Sequence, residues 1–154
     1  MNPTTTFELT QQPPFRTKIS QLCFQMTLNS GWKWVSCNPQ LTNVIGYRVV
    51  SITLDGDNLP FNANNLRWAL LCQDLACSDT SFYNEGGLSN QICFTFDPRF
   101  ADQQNYGLVS SSFKQIQLKT LDVLKFNITT INFNPVTAVG TNINITLEFL
   151  QKIE

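Results

Sequence analysis

Side chains able to carry a proton, bind a metal or attack a carbon are scarce in this chain. It has eleven carboxylates, ten lysines and arginines, five cysteines and no histidine in 154 residues. Without histidine there is no Ser-His-Asp or Cys-His nucleophile system, no imidazole-held metal and no imidazole proton shuttle. Carboxylate-only chemistry survives, but it needs two carboxyl groups facing each other across a cleft. The spacing of Glu8, Asp55, Asp57, Asp74, Asp79, Glu85, Asp97, Asp102, Asp122, Glu148 and Glu154 puts no two of them in that relation. Asp55-Gly56-Asp57-Asn58 has the composition of a hairpin turn and lacks the spacing and terminal Glu of a calcium loop. Asp74, Asp79 and Glu85 share one loop and could hold a cation only weakly. Four residues separate Cys72 from Cys77, and neither a second Cys pair nor a His completes a tetrahedral set. The expectation is therefore no enzyme, no metal and no cofactor. Cys23, Cys37, Cys72, Cys77 and Cys93 are read as reduced thiols, with Cys23 and Cys93 as small hydrophobic fillers and a Cys72–Cys77 disulfide left open.

Residues suited to contact are better represented. Trp32, Trp34 and Trp68 could be core, which is the expected use, or a stacking platform for sugars if exposed. Phe82, Tyr83, Asn84 and Glu85, followed by Gly86-Gly87, form a candidate contact loop. Asn127-Ile128-Thr129 and Asn144-Ile145-Thr146 match the glycosylation pattern, which an Asn/Thr-rich chain reaches by chance. The segment Met1–Phe15 contains Pro3, Pro13 and Pro14 and is expected to be an extended arm rather than a helix. Its apolar residues Phe7, Leu9 and Phe15 are the candidate assembly contacts, laid over a neighbouring subunit by strand addition.

Composition agrees with contact as the task. Charged residues make up 14% of the chain, against about 25% in an average domain. Asn, Thr, Gln and Ser supply 16, 16, 12 and 10 residues. A surface of neutral hydrogen-bonding groups packs against neighbours with little charge to desolvate. Codon bias toward AT-rich triplets would also enrich Asn, Ile and Phe. A net charge of −1 lacks the basic footprint of nucleic-acid binding, and the first fifteen residues carry no Lys or Arg. No apolar run is long enough for a membrane-spanning helix. The polar start has neither the charged beginning nor the apolar middle of a secretory signal.

The elements that would position these residues are strands. Apolar residues recur with period two, the pattern of half-buried β structure. Leu22, Phe24, Met26 and Leu28 share one face; Trp32, Trp34 and Ser36 alternate with Lys33, Val35 and Cys37. Val50, Ile52 and Leu54 share a face, as do Ile92, Phe94 and Phe96. Farther on, Phe113, Ile116 and Leu118 are followed by Leu124, Phe126 and Ile128. Ile143, Ile145, Leu147 and Phe149 alternate with Asn142, Asn144, Thr146 and Glu148. Turn residues at Asn29-Ser30-Gly31, Asn38-Pro39-Gln40 and Asp97-Pro98 separate the runs. No sustained helical stripe interrupts them. The expected fold is all-β, an antiparallel β-sandwich or single jelly roll of about eight strands, with residues 1–15 as arm and 16–154 as the domain.

The segments Ser111-Ser112-Phe113-Lys114-Gln115-Ile116, Leu121-Asp122-Val123-Leu124-Lys125-Phe126-Asn127-Ile128 and Ile143-Asn144-Ile145-Thr146-Leu147-Glu148-Phe149 resemble the closing strands of single jelly-roll viral capsid proteins. These are penton-like and minor capsid proteins of icosahedral DNA viruses and phages. The resemblance implies two four-stranded sheets and a homo-oligomer, a pentamer before a trimer, at a capsid symmetry axis. It also implies a neighbouring major capsid protein as partner, and a location in the virion after synthesis in the host cytoplasm. No catalytic residues carry over. The alternative is a receptor- or carbohydrate-binding β-sandwich, such as a trimeric spike head.

Overall fold

In a computed structural model, the described residues are 16–28, 31–55, 67–75, 91–97, 112–134, 136 and 141–153. They form six strands: β1 (Arg16–Thr27), β2 (Lys33–Asp55), β3 (Trp68–Cys72), β4 (Ile92–Phe96), β5 (Lys114–Thr130) and β6 (Asn142–Ile153). A 3-10 turn, Gln73–Leu75, follows β3. The strands make one antiparallel sheet in the order β1-β6-β2-β5-β3-β4. It is not closed as a barrel.

The all-β class is as the period-two pattern requires. β6 shows why: Ile143, Ile145, Leu147 and Phe149 are all buried, while Asn142, Asn144, Thr146 and Glu148 lie at least partly in water. Leu124, Phe126 and Ile128 are buried by the same alternation on β5. One core gathers these with Ile52 and Leu54 of β2, Trp68 and Leu70 of β3 and Phe96 of β4.

Among the described residues there are six strands rather than about eight, because two pairs of runs are continuous. β2 passes straight through Asn38-Pro39-Gln40 and β5 through Lys119-Thr120. The breaks persist as irregularities of the ladder. While β2 advances from Ser36 to Leu41, its partner strand moves only from Val123 to Leu121. Extra residues in one strand bend it and redirect its side chains. Both long strands also change partners along their length. The β2 segment Lys33–Ser36 pairs with Val123–Phe126. Farther on, Val44–Asp55 pairs with β6, and Val44, Gly46 and Tyr47 also meet Lys119, Gln115 and Lys114 of β5.

Bulges overturn three assignments of face. A register shift between Val49 and Ser51 buries Val49 and leaves Val50 only half-buried beside Ile52 and Leu54. A shift between Leu70 and Leu71 lets Cys93 and Phe96 be the buried pair of β4, with Ile92 and Phe94 half-buried. Leu118, expected inward, is 54% exposed next to the irregular stretch where β5 meets β2.

The tryptophans divide. Trp68 is core, as expected, edge-on to Phe96 with ring centroids 6.0 Å apart. Trp32 and Trp34 are 41% and 63% exposed, contrary to the core use expected for them. The run Trp34-Val35-Ser36-Cys37 has a usable apolar residue on either face. Register decides: Val35 is opposite the fully buried Leu124, and opposed residues of an antiparallel pair point the same way.

A buried glutamine ties three strands at the sheet end. Gln151 of β6 accepts from the Ser20 hydroxyl of β1, and its Nε2 donates to the Thr42 carbonyl of β2 at 2.9 Å. Both polar ends of a side chain deep in the protein are thereby satisfied.

Candidate functional site

The contact loop Phe82, Tyr83, Asn84 and Glu85 and the arm residues Phe7, Leu9 and Phe15 lie outside the described residues. Of the loop carboxylates Asp74, Asp79 and Glu85, only Asp74 is described. Its Oδ2 accepts the Lys125 backbone N–H at 3.0 Å, and its own carbonyl accepts Lys119 Nζ at 2.9 Å. Asp74 therefore clips the 3-10 turn onto β5. Among the described residues no three His, Cys, Asp or Glu side chains gather as a metal set. Nor is any helix among them long and apolar enough to cross a membrane.

The described cysteines are all free thiols, Cys72 included. Burial is the first cause that raises the Cys37 thiol above its usual range, with the charges of Asp122, Cys72 and Asp74 adding to it. Burial likewise pushes Cys72 far up, helped by its neighbour Cys93, against a smaller opposing backbone hydrogen bond near Asp74. A raised pKa keeps a thiol protonated, and only the thiolate attacks. Cys93 is buried as expected, but Cys23 is exposed on the outer face of β1, contrary to the filler role. With a maleimide at pH 8, Cys23 is expected to be labelled in the native protein. Cys37, Cys72 and Cys93 should react roughly a hundredfold slower or worse until denaturant is added, as protection by global opening requires. Peptide mass mapping reads the order directly; native-state labelling of Cys72 at the Cys23 rate would refute it.

Two outward faces of the sheet remain. The first surrounds Trp34. Lys125 is its register partner, with Nζ 5.0 Å from the ring centroid, a cation–π distance. Ser36 and Val123 form the next outward pair, and both are exposed. The result is an aromatic ring bearing one cation, beside short side chains.

The second face spans β1, β6 and β2 and is almost without charge. Gln21, Cys23, Gln25 and Thr27 of β1 stand opposite Glu148, Thr146, Asn144 and Asn142 of β6. Gln25 Nε2 donates to Asn144 Oδ1 at 3.0 Å, Thr27 Oγ1 to Asn142 Oδ1 at 3.1 Å and Thr146 Oγ1 to Cys23 Sγ at 3.5 Å. The ladder continues into β2, where Thr146, Asn144 and Asn142 face Ser51, Thr53 and Asp55. Arg48 and Glu148 form an ion pair on it at 2.8 Å, with the guanidinium 4.4 Å from the Phe113 ring centroid. Cross-strand neutral pairs support one another on such a face and leave a neighbour little charge to desolvate.

The sequence offers Trp34 as a stacking platform should it be exposed, but not its cationic partner, and it does not mark the neutral ladder as a site. Trp34 meets Lys125, and Cys23 meets Thr146, only through strand register. For the neutral ladder the forewarning was the alternation of Asn and Thr with Ile and Leu in β6. Comparison with known proteins found no matching family and no matching curated protein. What both surfaces offer chemically is contact: stacking and cation–π at the first, neutral hydrogen bonding at the second.

Proposed function

We propose that the chain is a structural virion protein, a penton-like or minor capsid subunit, and that its sheet is doubled over as a single jelly roll. The observation that carries this reading is the change of partners along β2 and β5. Divided at their irregular stretches, the two long strands supply four segments and the sheet eight. One group then runs β1, β6, the second part of β2, the first part of β5. The other runs the first part of β2, the second part of β5, β3, β4. Two interleaved groups of four are the order of a jelly roll, in which each long strand crosses from one sheet to the other. A ring contact supports the doubling. Phe24 of β1 stacks on Phe126 of β5 with centroids 4.5 Å apart and planes at 28°. The two strands are three places apart in the sheet order, which in a flat sheet is roughly 14 Å at the usual strand spacing. Packing of one layer on the other brings such rings together.

A subunit of this kind works by shape and by neutral faces. The mostly neutral ladder of β1, β6 and β2 supplies a face of that sort. The mass of the purified protein, by light scattering after size exclusion with and without reductant, tests the reading. A pentamer is the expected result, with interfaces at or above roughly 1,600 Å² in total for a stable contact. A monomer at all concentrations would count against self-assembly as the chain's role.

The exposure of Trp34 and Trp32 favours one second reading, a receptor- or carbohydrate-binding sandwich such as a trimeric spike head. It expects a trimer whose glycan binding disappears in Trp34→Ala. A pentamer without glycan binding would dismiss it.

A further inference from the structure

The sheet has two edges, and they are finished differently. An edge strand exposes unpaired N–H and C=O groups, which proteins blunt with short strands, bulges and charges. β4 shows each device. It has five residues and a register shift, and its Cys93 and Thr95 carbonyls accept from Lys114 Nζ at 3.2 Å and Arg67 Nη2 at 3.0 Å. β1 shows none of these over most of its length. Its twelve residues pair with β6 in unbroken register, and among the described residues β6 is its only strand partner. Both of its charges, Arg16 and Lys18, sit at one end, and Ile19–Thr27 carries none.

The core is also incomplete at this edge. Leu22 and Phe24 point toward it and pack against it, yet both stay half-buried. Ile19, on the outward face with Gln21 and Cys23, is exposed as well. Apolar groups left half-wet along an unprotected edge mark a place where a further strand fits.

We propose that this edge is a docking surface for a second copy of the chain. β1 pairs antiparallel with β1 of the other protomer across a two-fold axis at Cys23. The register follows from the strand itself. Cys23 is the midpoint of the uncharged span Ile19–Thr27, and centring there uses every neutral residue. Leu22 then lies opposite Phe24 of the second copy, so the half-buried pair covers its own equivalent. Gln21 lies opposite Gln25, and Ile19 opposite Thr27. Arg16 and Lys18 fall beyond the paired span, so no like charges are opposed. A two-fold interface of one self-complementary strand is the isologous form that closes as a dimer. This inference is independent of the virion reading: in a five-fold ring the two-fold contact would join subunits of separate rings, not neighbours within one.

Directly opposed residues of an antiparallel pair have Cα atoms about 4.5–5.5 Å apart, within the roughly 4.4–6.8 Å range of a disulfide. Oxidation with diamide, which takes two electrons and two protons from a thiol pair, is expected to join the full-length protein through Cys23 to Cys23. Mass mapping of the linked peptide identifies the bond. Moving the thiol tests register. In Cys23→Ser/Gln21→Cys the two thiols would be about 13 Å apart along the strand and should barely couple. Cys23→Ser/Gln21→Cys/Gln25→Cys should couple efficiently. Without oxidant, Gln21→Lys/Gln25→Lys places like charges opposite each other twice and should weaken dimerisation about tenfold, while Gln21→Lys/Gln25→Glu should restore it. Both glutamines are exposed, so these changes leave the core untouched. The proposal is overturned if Cys23 does not couple, if a thiol at position 21 couples as fast as Cys23, or if dimerisation ignores the paired lysines. A pentamer lacking the Cys23 bond would refute this contact and leave the virion reading standing; Cys23-linked dimers with no larger assembly would do the reverse.

Discussion

Phe126→Ala is expected to lower the free energy of unfolding by about 3–5 kcal/mol, the range for truncating a buried aromatic. The ring has no exposed surface and stacks on Phe24 at 4.5 Å. In register, Phe126 lies opposite Lys33 of β2 and Cys72 of β3, so one side chain touches or adjoins three other strands. Deletion removes the transfer free energy of the ring and leaves a cavity that a sheet cannot easily close. Against a typical domain stability of about 5–15 kcal/mol, this is a large fraction. The check is urea denaturation, with a fall in midpoint at unchanged slope. Phe24→Ala should cost clearly less, because Phe24 is half-buried at the edge. Equal losses at both positions, or a loss below about 1 kcal/mol at Phe126, would contradict the stacked packing described above.

Gly46→Ala is expected to destabilise by about 1–3 kcal/mol, although alanine usually strengthens a strand. A Cβ at this position would stand 2.9 Å from the Lys114 carbonyl oxygen and 3.4 Å from Phe113 Cβ. The first neighbour is backbone and cannot swing aside, so β2 and β5 must part. Gly46 is also where β2 pairs on both sides at once, with Gln115 of β5 and Leu150 of β6. Displacement there strains two ladders, which outweighs the entropy gain of about 0.4–1 kcal/mol from losing a glycine in the unfolded chain. Gly31→Ala is the matched control. Among the described residues nothing lies within 4 Å of its Cβ position, and a change within about 0.5 kcal/mol is expected. Thermal melts of both variants decide it. A stabilised Gly46→Ala would mean that the two strands are not held at this distance in solution.

The protein's own residues determined a good deal without help. The alternation Ile143, Ile145, Leu147, Phe149 against Asn142, Asn144, Thr146, Glu148 is enough for a half-buried strand, because period two with one apolar face has one low-energy solution. The same holds for Leu124, Phe126 and Ile128, for Met26 near the end of β1 and for Leu28 just beyond it. Scarce charge and absent histidine were equally plain. Tertiary structure alone decided the rest. Where both faces of a run carry apolar groups, as in Trp34-Val35-Ser36-Cys37, burial is set by the strand opposite, here by Leu124 against Val35. Bulges at Val49–Ser51 and at Cys93 flip a face by one inserted residue, and period-two counting has no signal for an insertion. The pairing of Trp34 with Lys125, the outward thiol of Cys23 and the half-wet edge at Leu22 and Phe24 all depend on partners distant along the chain. Local sequence fixes which side chains alternate; only long-range register fixes what they face.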